Sequence, residues 1–444
     1  MMPSAGHSRP PAPRRRVGAR RGRRSPRRPR ILGTVIVAVV ASLLSGVGSV
    51  LAATSDVDLS FGSGGSMTID VEGSGQVGGI VHRDDGVLII ASTMRATYSS
   101  FTTIALAENG ELLDTYGAGG ISSLPIPRGS VVTVEDVALQ ADGGVVVVGY
   151  GATYEGLNRF VVARFRPDGA PDRSFSEDGV ALVHFRQGDA YAHGVTVQPN
   201  GSIAVVGEVD PRFDVSNPAI ARLLPDGSLD RAFGRRGRVV LRIPDGVRGH
   251  DVAWNVVADS RGTLAMVGWT ERSVWRTYQT LALRLRSNGS LDPSFGEDGI
   301  AMIDVDGVDN WAYGLARDGG SLVLGVHTNV PDAALVRLDE NGVPDPTFGN
   351  GGVAIYTVTD PWEARAVAVL PDHRVVAVNG YTGGPNLLVL QPGGGLDTGY
   401  SSDAEGVGPL TDALGRGLVV LDDGTVVVVG TVGGDFVATK FLAP

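Results

Sequence analysis

Few residues in this chain stand at the spacings that chemistry requires. The 444 residues include no Cys, which removes thiol nucleophiles, disulfides and Cys-ligated zinc. The seven His (7, 82, 184, 193, 250, 327, 373) form no His-Glu-x-x-His and no i, i+4 pair. There is no Gly-x-Ser-x-Gly elbow and no Ser-x-x-Lys pair. GSGQVG at 73–78 fits a dinucleotide fingerprint, but strand-like GIVHRDDG follows where a helix is needed, so it reads as a loop. Asp304, Asp306 and Asp309 crowd three carboxylates as a hard cation would require. Their Gly stands fourth, not sixth, and no bidentate acid follows, so the run reads as a solvated acidic loop. No metal and no cofactor is implied. What stands out is aromatic surface: Trp254, Trp269, Trp275, Trp311 and Trp362, with Tyr191, Tyr278 and Tyr313. Such side chains supply stiff contact area for protein hot spots or for sugar stacking.

The elements that position these residues come from a repeat. DLSFGSGG, LDTYGAGG, PDRSFSEDG, LDRAFGRRG, LDPSFGEDG, PDPTFGNGG and LDTGYSSDAEG place an aromatic at 61, 116, 175, 233, 295, 348 and 400. Seven copies of about 56 residues fill 53–444 and leave no room for a separate catalytic domain. Each copy also holds a turn followed by a β-branched run, such as ADGGVVVVG or PNGSIAVVG. Asp-Gly and Asn-Gly between apolar runs signal hairpins, because both turn residues must tolerate positive φ. A third run (FVVARF, AIARLL) precedes each SFG phrase, and a fourth (VALVHF, IAMIDV) follows it. Four antiparallel strands times seven units predicts an all-β, seven-bladed propeller, whose radial closure hides its sheet edges.

The phrases D-G, V-V-V-V-G, A-R-F-x-P-D-G and L-D-x-S-F-G-x-D-G resemble the delta-60 repeat family of bacterial β-propellers over essentially all of 56–444. That resemblance implies the fold and supplies no catalytic residues.

A comparison among the copies predicts a contact. The run before the SFG phrase carries Arg164, Arg222, Arg284, Arg337 or Lys440, and lacks its cation at Ala105 and Val389. The two copies without it are those with Tyr116 and Tyr400 in place of Phe. Phe61 has a partner only if Lys440, at the far end of the chain, lies beside it. The pattern predicts cation contacts to Phe61, Phe175, Phe233, Phe295 and Phe348 or to the neighbouring Asp, and closure of the ring. Degenerate repeats that lose several features together are the competing explanation.

With the strands lettered A to D so that the cation falls on strand D, the D-G turns and SFG phrases share one face. All five Trp fall in or next to A–B or C–D loops of the other, where binding residues concentrate. Packing between blades is the alternative use of these rings.

The N-terminus reads as an address. Residues 1–30 hold eleven Arg and no acid, and Ile31–Ala52 is an apolar run ending in small residues. This is the order of a cleaved export signal over 1–52; if uncleaved, 31–52 is long enough to anchor the chain in a membrane. The leader removes eleven of the 38 basic residues, leaving 27 against 48 acids, a net −21. So acidic a body repels phosphate backbones and excludes nucleic-acid binding. The sequence thus predicts a secreted or envelope-located, monomeric, non-enzymatic propeller that binds a partner protein or cell-surface polysaccharide. The alternatives are a polysaccharide hydrolase or lyase with carboxylates at the central channel, and a structural envelope component.

Overall fold

The computed structural model describes residues 57–69, 75–95, 99–126, 132–152, 156–212, 215–244, 249–272, 277–330, 332–357, 362–381, 387–398 and 414–443. The expected leader, Trp275 and Tyr400 lie outside them.

Seven antiparallel sheets form in chain order. Blade one comprises Gln76–His82, Leu88–Arg95, Ser99–Leu106 and Ile121–Pro125; blade two, Val132–Leu139, Val145–Ala152, Asn158–Phe165 and Val180–Val183. Blade three runs Asp189–Val197, Ile203–Arg212, Val215–Leu223 and Arg238–Val240; blade four, Asp251–Ala258, Leu264–Glu271, Tyr278–Leu285 and Ile300–Ile303. Blade five holds Asn310–Asp318, Ser321–Thr328, Asp332–Leu338 and Val353–Thr357, and blade six Ala364–Val369, Val375–Asn379 and Leu387–Leu390. Blade seven is split: Leu414–Val420, Val426–Val432 and Asp435–Phe441 are completed by Ser66–Ile69 from the opposite end of the chain. Six blades therefore show four strands, and blade six shows three among the described residues. The first strands of successive blades touch in order, and those of blades seven and one complete the ring.

The run after each SFG phrase is the outermost strand of the same sheet, not the first strand of the next, so the cation sits on the third strand. The reason is the LD backbone. Asp172 N–H donates to Arg164 O, and Arg164 N–H to Gly179 O, which folds the SFG loop back along its own sheet. The two faces keep their membership, with hairpin turns and SFG loops together on one.

The second strand of each blade explains the β-branched runs. Val145, Val146, Val147 and Val148 are all fully buried, because neighbouring blades cover both faces of the strand. The Gly that ends the run has a close neighbour: a Cβ at Gly207 would lie 1.9 Å from Tyr191 O, and one at Gly268 2.0 Å from Val252 O. Opposite these glycines the first strand bulges.

The cation contacts have a common geometry. Arg164, Arg222, Arg284 and Arg337 lie 4.5–4.8 Å from the ring centroids of Phe175, Phe233, Phe295 and Phe348. They pair with Asp172, Asp230, Asp292 and Asp345 at 2.7–2.9 Å. Lys440 Nζ lies 3.4 Å from Asp58, and Asp58 N–H donates to Lys440 O, so this pair spans the closure. Each aromatic also meets the next blade: a Cβ on Gly227 would be 3.0 Å from Phe175, and one on Gly342 2.7 Å from Phe295.

Both blades without the cation are compensated. In blade one Leu113 occupies the acid's backbone position, donating to Ala105 O, so acid and cation are both apolar. The Tyr116 hydroxyl donates to Thr103, and Arg83 from the hairpin turn donates to Pro167 O, the carbonyl that equivalent arginines reach elsewhere. In blade six the cation comes from another place: Arg374 pairs with Asp397 at 2.8 Å.

Candidate functional site

Every first strand carries a one-residue register shift, and the shifts are equivalent around the ring. The unpaired residues are Gly78, Glu135, His193, Trp254, Tyr313, Arg365 and Arg416. A bulge turns its extra side chain away from the regular alternation, and here seven bulges aim at the axis. Six of the seven residues line a central cavity of about 160 Å³ to which all seven blades contribute. Unlike the SFG and turn positions, this tier is different in nearly every copy.

The tier's side chains hold one another. His193 stacks on Trp254 with centroids 4.2 Å apart and planes 11° apart. Trp254 meets Trp269 at 5.2 Å and Tyr313 at 5.1 Å. The Arg365 guanidinium lies 4.8 Å from the Trp254 centroid and 4.9 Å from that of Tyr313, and Glu363 pairs with it at 2.6 Å. Tyr191 and Tyr150 extend the cluster, 4.9 Å apart. A second group joins blades four to six: Tyr278 to Trp311 at 5.2 Å, Trp311 to His327 at 5.2 Å, and His327 to Tyr381 at 5.6 Å.

These aromatics lie in strands or at their ends, and Tyr381 lies just beyond one. Trp254, Trp311, Tyr313 and Tyr191 belong to first strands, Trp269 to a second and Tyr278 to a third. Trp362 is no surface residue at all: it is 1% exposed and packs with Phe348, Ala364 and Leu388 between blades five and six. Its apolar ring simply fills that core. Trp275 lies outside the described residues.

The charges of the cavity are mixed. Glu135 and Asp136, its only lining acids, both come from blade two, while Arg365 and Arg416 come from blades six and seven. Arg416 is half-buried, and its Nε is enclosed with no hydrogen-bond partner among the described residues. Burial and the neighbouring Arg365 hold it below the ordinary arginine value, offset in part by Glu135 and Glu363. Asp136 Oδ2 accepts from Val195 N–H of blade three at 2.9 Å and Oδ1 from Val137 N–H at 2.8 Å. Burial nonetheless pushes its carboxyl up to about 7. Asp189 and Asp251, which open the first strands of blades three and four, bond to neighbouring strands: Asp189 accepts from Asn158 N–H, and Asp251 from the Thr270 hydroxyl.

The acidic run that links blades four and five is spent on its own turn and on the adjoining strand. Asp304 accepts from Gly307 N–H, Asp309 from Tyr278 N–H, and Asp306 takes positive φ. The described residues contain no group of three or more His, Asp or Glu placed to hold a metal.

The bulge tier, with His193, Arg365 and Arg416, escapes a reading of sequence periodicity. The signal available was the Gly at the end of the second run, since a glycine inside a strand marks a bulge or a close backbone approach.

The family described as "Domain of unknown function (DUF5122) beta-propeller" matches residues 140–175, 198–233, 276–295 and 320–348. Each segment ends on the aromatic of a complete Arg–Asp–Phe clamp; the compensated blades one and six and the split blade seven fall outside. No curated protein matches the sequence. Among solved structures, PorZ of Porphyromonas gingivalis, described as an essential bacterial surface component of the type-IX secretion system, is 14% identical with a TM-score of 0.43. The match covers 81% of this chain and 46% of PorZ, so the chain spans less than half of that protein. YCF48 from Cyanidioschyzon merolae is 12% identical, TM-score 0.46, over 85% of this chain and 99% of its own. XC5397, a gluconolactonase from Xanthomonas campestris, is 13% identical, TM-score 0.39, over 84% and 97%.

Proposed function

We propose that this protein is an exported, non-enzymatic binding propeller of the delta-60 type that recognises a polysaccharide or partner-protein segment at the channel mouth. The observation that carries the reading is the bulge tier. Positions repeated among the copies are accounted for by turns, clamps and core, whereas six of the seven bulges bring side chains of five different types to one axis, the seventh being Gly78. The rings of the tier already contact one another, so recognition rests on hydrogen bonds and charge from Arg365, Arg416 and Glu135 more than on open stacking platforms. The two acids that line the cavity, Glu135 and Asp136, are adjacent in one strand, and Glu363 beside it is paired with Arg365, which favours binding over hydrolysis by two separated free acids. Export rests on the order of basic and apolar residues in 1–52.

The test is an array of glycans and cell-wall polymers probed with the purified protein, followed by titration of any hit against Trp emission. Saturable binding with a change in emission, from Trp254 and Trp269 beside the cavity, is expected. Binding without any Trp response removes the channel mouth as the site.

A further inference from the structure

Blade three breaks the grammar of its siblings at one place. After the clamp aromatic, the other described loops read Phe61-Gly-Ser-Gly-Gly, Tyr116-Gly-Ala-Gly-Gly, Phe175-Ser-Glu-Asp-Gly, Phe295-Gly-Glu-Asp-Gly and Phe348-Gly-Asn-Gly-Gly. Blade three reads Phe233-Gly-Arg-Arg-Gly, so Arg235 and Arg236 replace small or acidic residues. The outermost strand then begins with Arg238, where other blades begin with Ser66, Ile121, Val180, Ile300 and Val353. Val180 and Ile300 are buried there, and Arg238 inherits the site: its Nε is enclosed with no partner among the described residues. Arg236 also takes positive φ, 57°, where Gly64, Gly119, Gly351 and the short-chained Asp298 do so in four other blades. A bulky cation in a left-handed turn and another at an apolar position both oppose folding. The repeat supplies better residues for both places, so structure alone does not explain them.

These residues converge. Arg235, Arg236 and Arg238 line a cleft of about 1010 Å³ with His184, Arg186 and Gln187, which follow the outermost strand of blade two. Among the described residues no Asp or Glu lines it, in a chain with 48 acidic residues against 38 basic. None of the four guanidinium groups forms an ion pair with a described residue, and the one hydrogen bond that they make among the described residues runs from Arg238 Nη1 to Arg236 O at 3.4 Å. Burial and the neighbouring Arg186 hold Arg238 below the ordinary arginine value, a cost that a bound anion relieves.

We propose that this lateral cleft between blades two and three binds the oxyanions of an acidic oligosaccharide. Guanidinium groups suit sulfate and carboxylate because their planar forks meet two oxygens at once. A duplex nucleic acid needs a broad basic footprint, and the surrounding acidic body denies it one. A single sugar chain enters the cleft alone, with Gln187 and His184 available to its hydroxyls. The site shares no residue with the channel and does not depend on the channel reading.

The test is direct titration of the whole protein with a heparin-derived hexasaccharide and with oligogalacturonate, which separates sulfate from carboxylate. The variants are Arg238→Val, which restores the residue of blades two and five, and Arg235→Glu with Arg236→Asp, which restores the loop of blades two and four. Saturable binding that weakens with added salt and falls at least tenfold in each variant is expected, with unfolding midpoints unchanged or raised. Equal affinity in wild type and variants overturns the proposal. So does the absence of binding to both probes at low salt, or tighter binding of a single-stranded oligonucleotide than of either sugar. Arg186→Gln keeps the test open should Arg238→Val fold poorly, because Arg186 lies outside the repeated loop.

Discussion

Arg284 shows how much one clamp residue carries. It reaches Asp292 at 2.9 Å and Ser294 Oγ at 2.8 Å, lies over Phe295, and donates to Glu340 O of the next blade. Arg284→Gln leaves a half-buried carboxylate with only the longer contact to Arg286, at 3.6 Å, and removes the bonds to Ser294 and Glu340, so urea unfolding is expected to show a loss of about 2 kcal/mol. A loss under about 0.5 kcal/mol would reduce the clamp to decoration. The clamp acids and Asp136 respond to pH with opposite signs. Burial alone would raise Asp292, but the Ser294 N–H and hydroxyl and the Arg284 cation outweigh it and hold the carboxyl low. Its stabilisation is present above the unfolded value of about 4 and is lost as pH falls through the lower folded value. Asp136, raised from 3.8 to about 7, contributes fully below its unfolded value and loses that contribution as pH rises through 7. The unfolding midpoint should therefore decline between about pH 4 and pH 7 and level off above it, and Asp136→Asn should flatten that slope. A slope identical in wild type and variant would show that Asp136 does not titrate there.

Each blade reaches into the next through its SFG loop. Gly296 N–H donates to Asn341 O at 2.7 Å, and the Phe295 ring fills the space under Gly342, whose φ is +77°. Gly342→Ala adds strain at that φ and a collision with the ring, and should lower the thermal midpoint by several degrees, about 2 kcal/mol or more. An unchanged midpoint would mean that the ring yields freely. These elements were legible in the sequence because turn, clamp and core recur at a fixed period and each residue type answers a local demand. Even the two exceptions, Ala105 and Val389, were visible as exceptions. Their compensation was not, since Arg83 and Arg374 stand at unrelated positions of the repeat. Sequence shows the order of strands but not which neighbour the outermost one pairs with, so the place of the cation on the third strand is visible only in the folded sheet.

Across the whole molecule, closure joins residues far apart in the chain: Ser66–Ile69 pairs with Asp435–Phe441, and Lys440 reaches Asp58. Closure sets the seven first strands around one axis, so that a bulge of one residue in each becomes a ring of seven. That convergence exists only in three dimensions. Trp254, Tyr313, Arg365 and Arg416 are spread over 163 positions of chain and share no motif, which is why the aromatic content was readable beforehand and the cationic half of the site was not. Trp362 shows the converse, a residue of suggestive type that the core absorbs. The central claim is that repeated residues hold the ring while the bulge tier does the binding. Arg416→Gln tests it most directly, with the unfolding free energy and the affinity for an array-identified polymer measured on the same sample. The account predicts stability within about 0.5 kcal/mol of wild type, as for a change outside the clamps and core, and affinity at least tenfold weaker. Reduced stability with unaltered affinity would contradict it and make the tier one more structural layer of the ring.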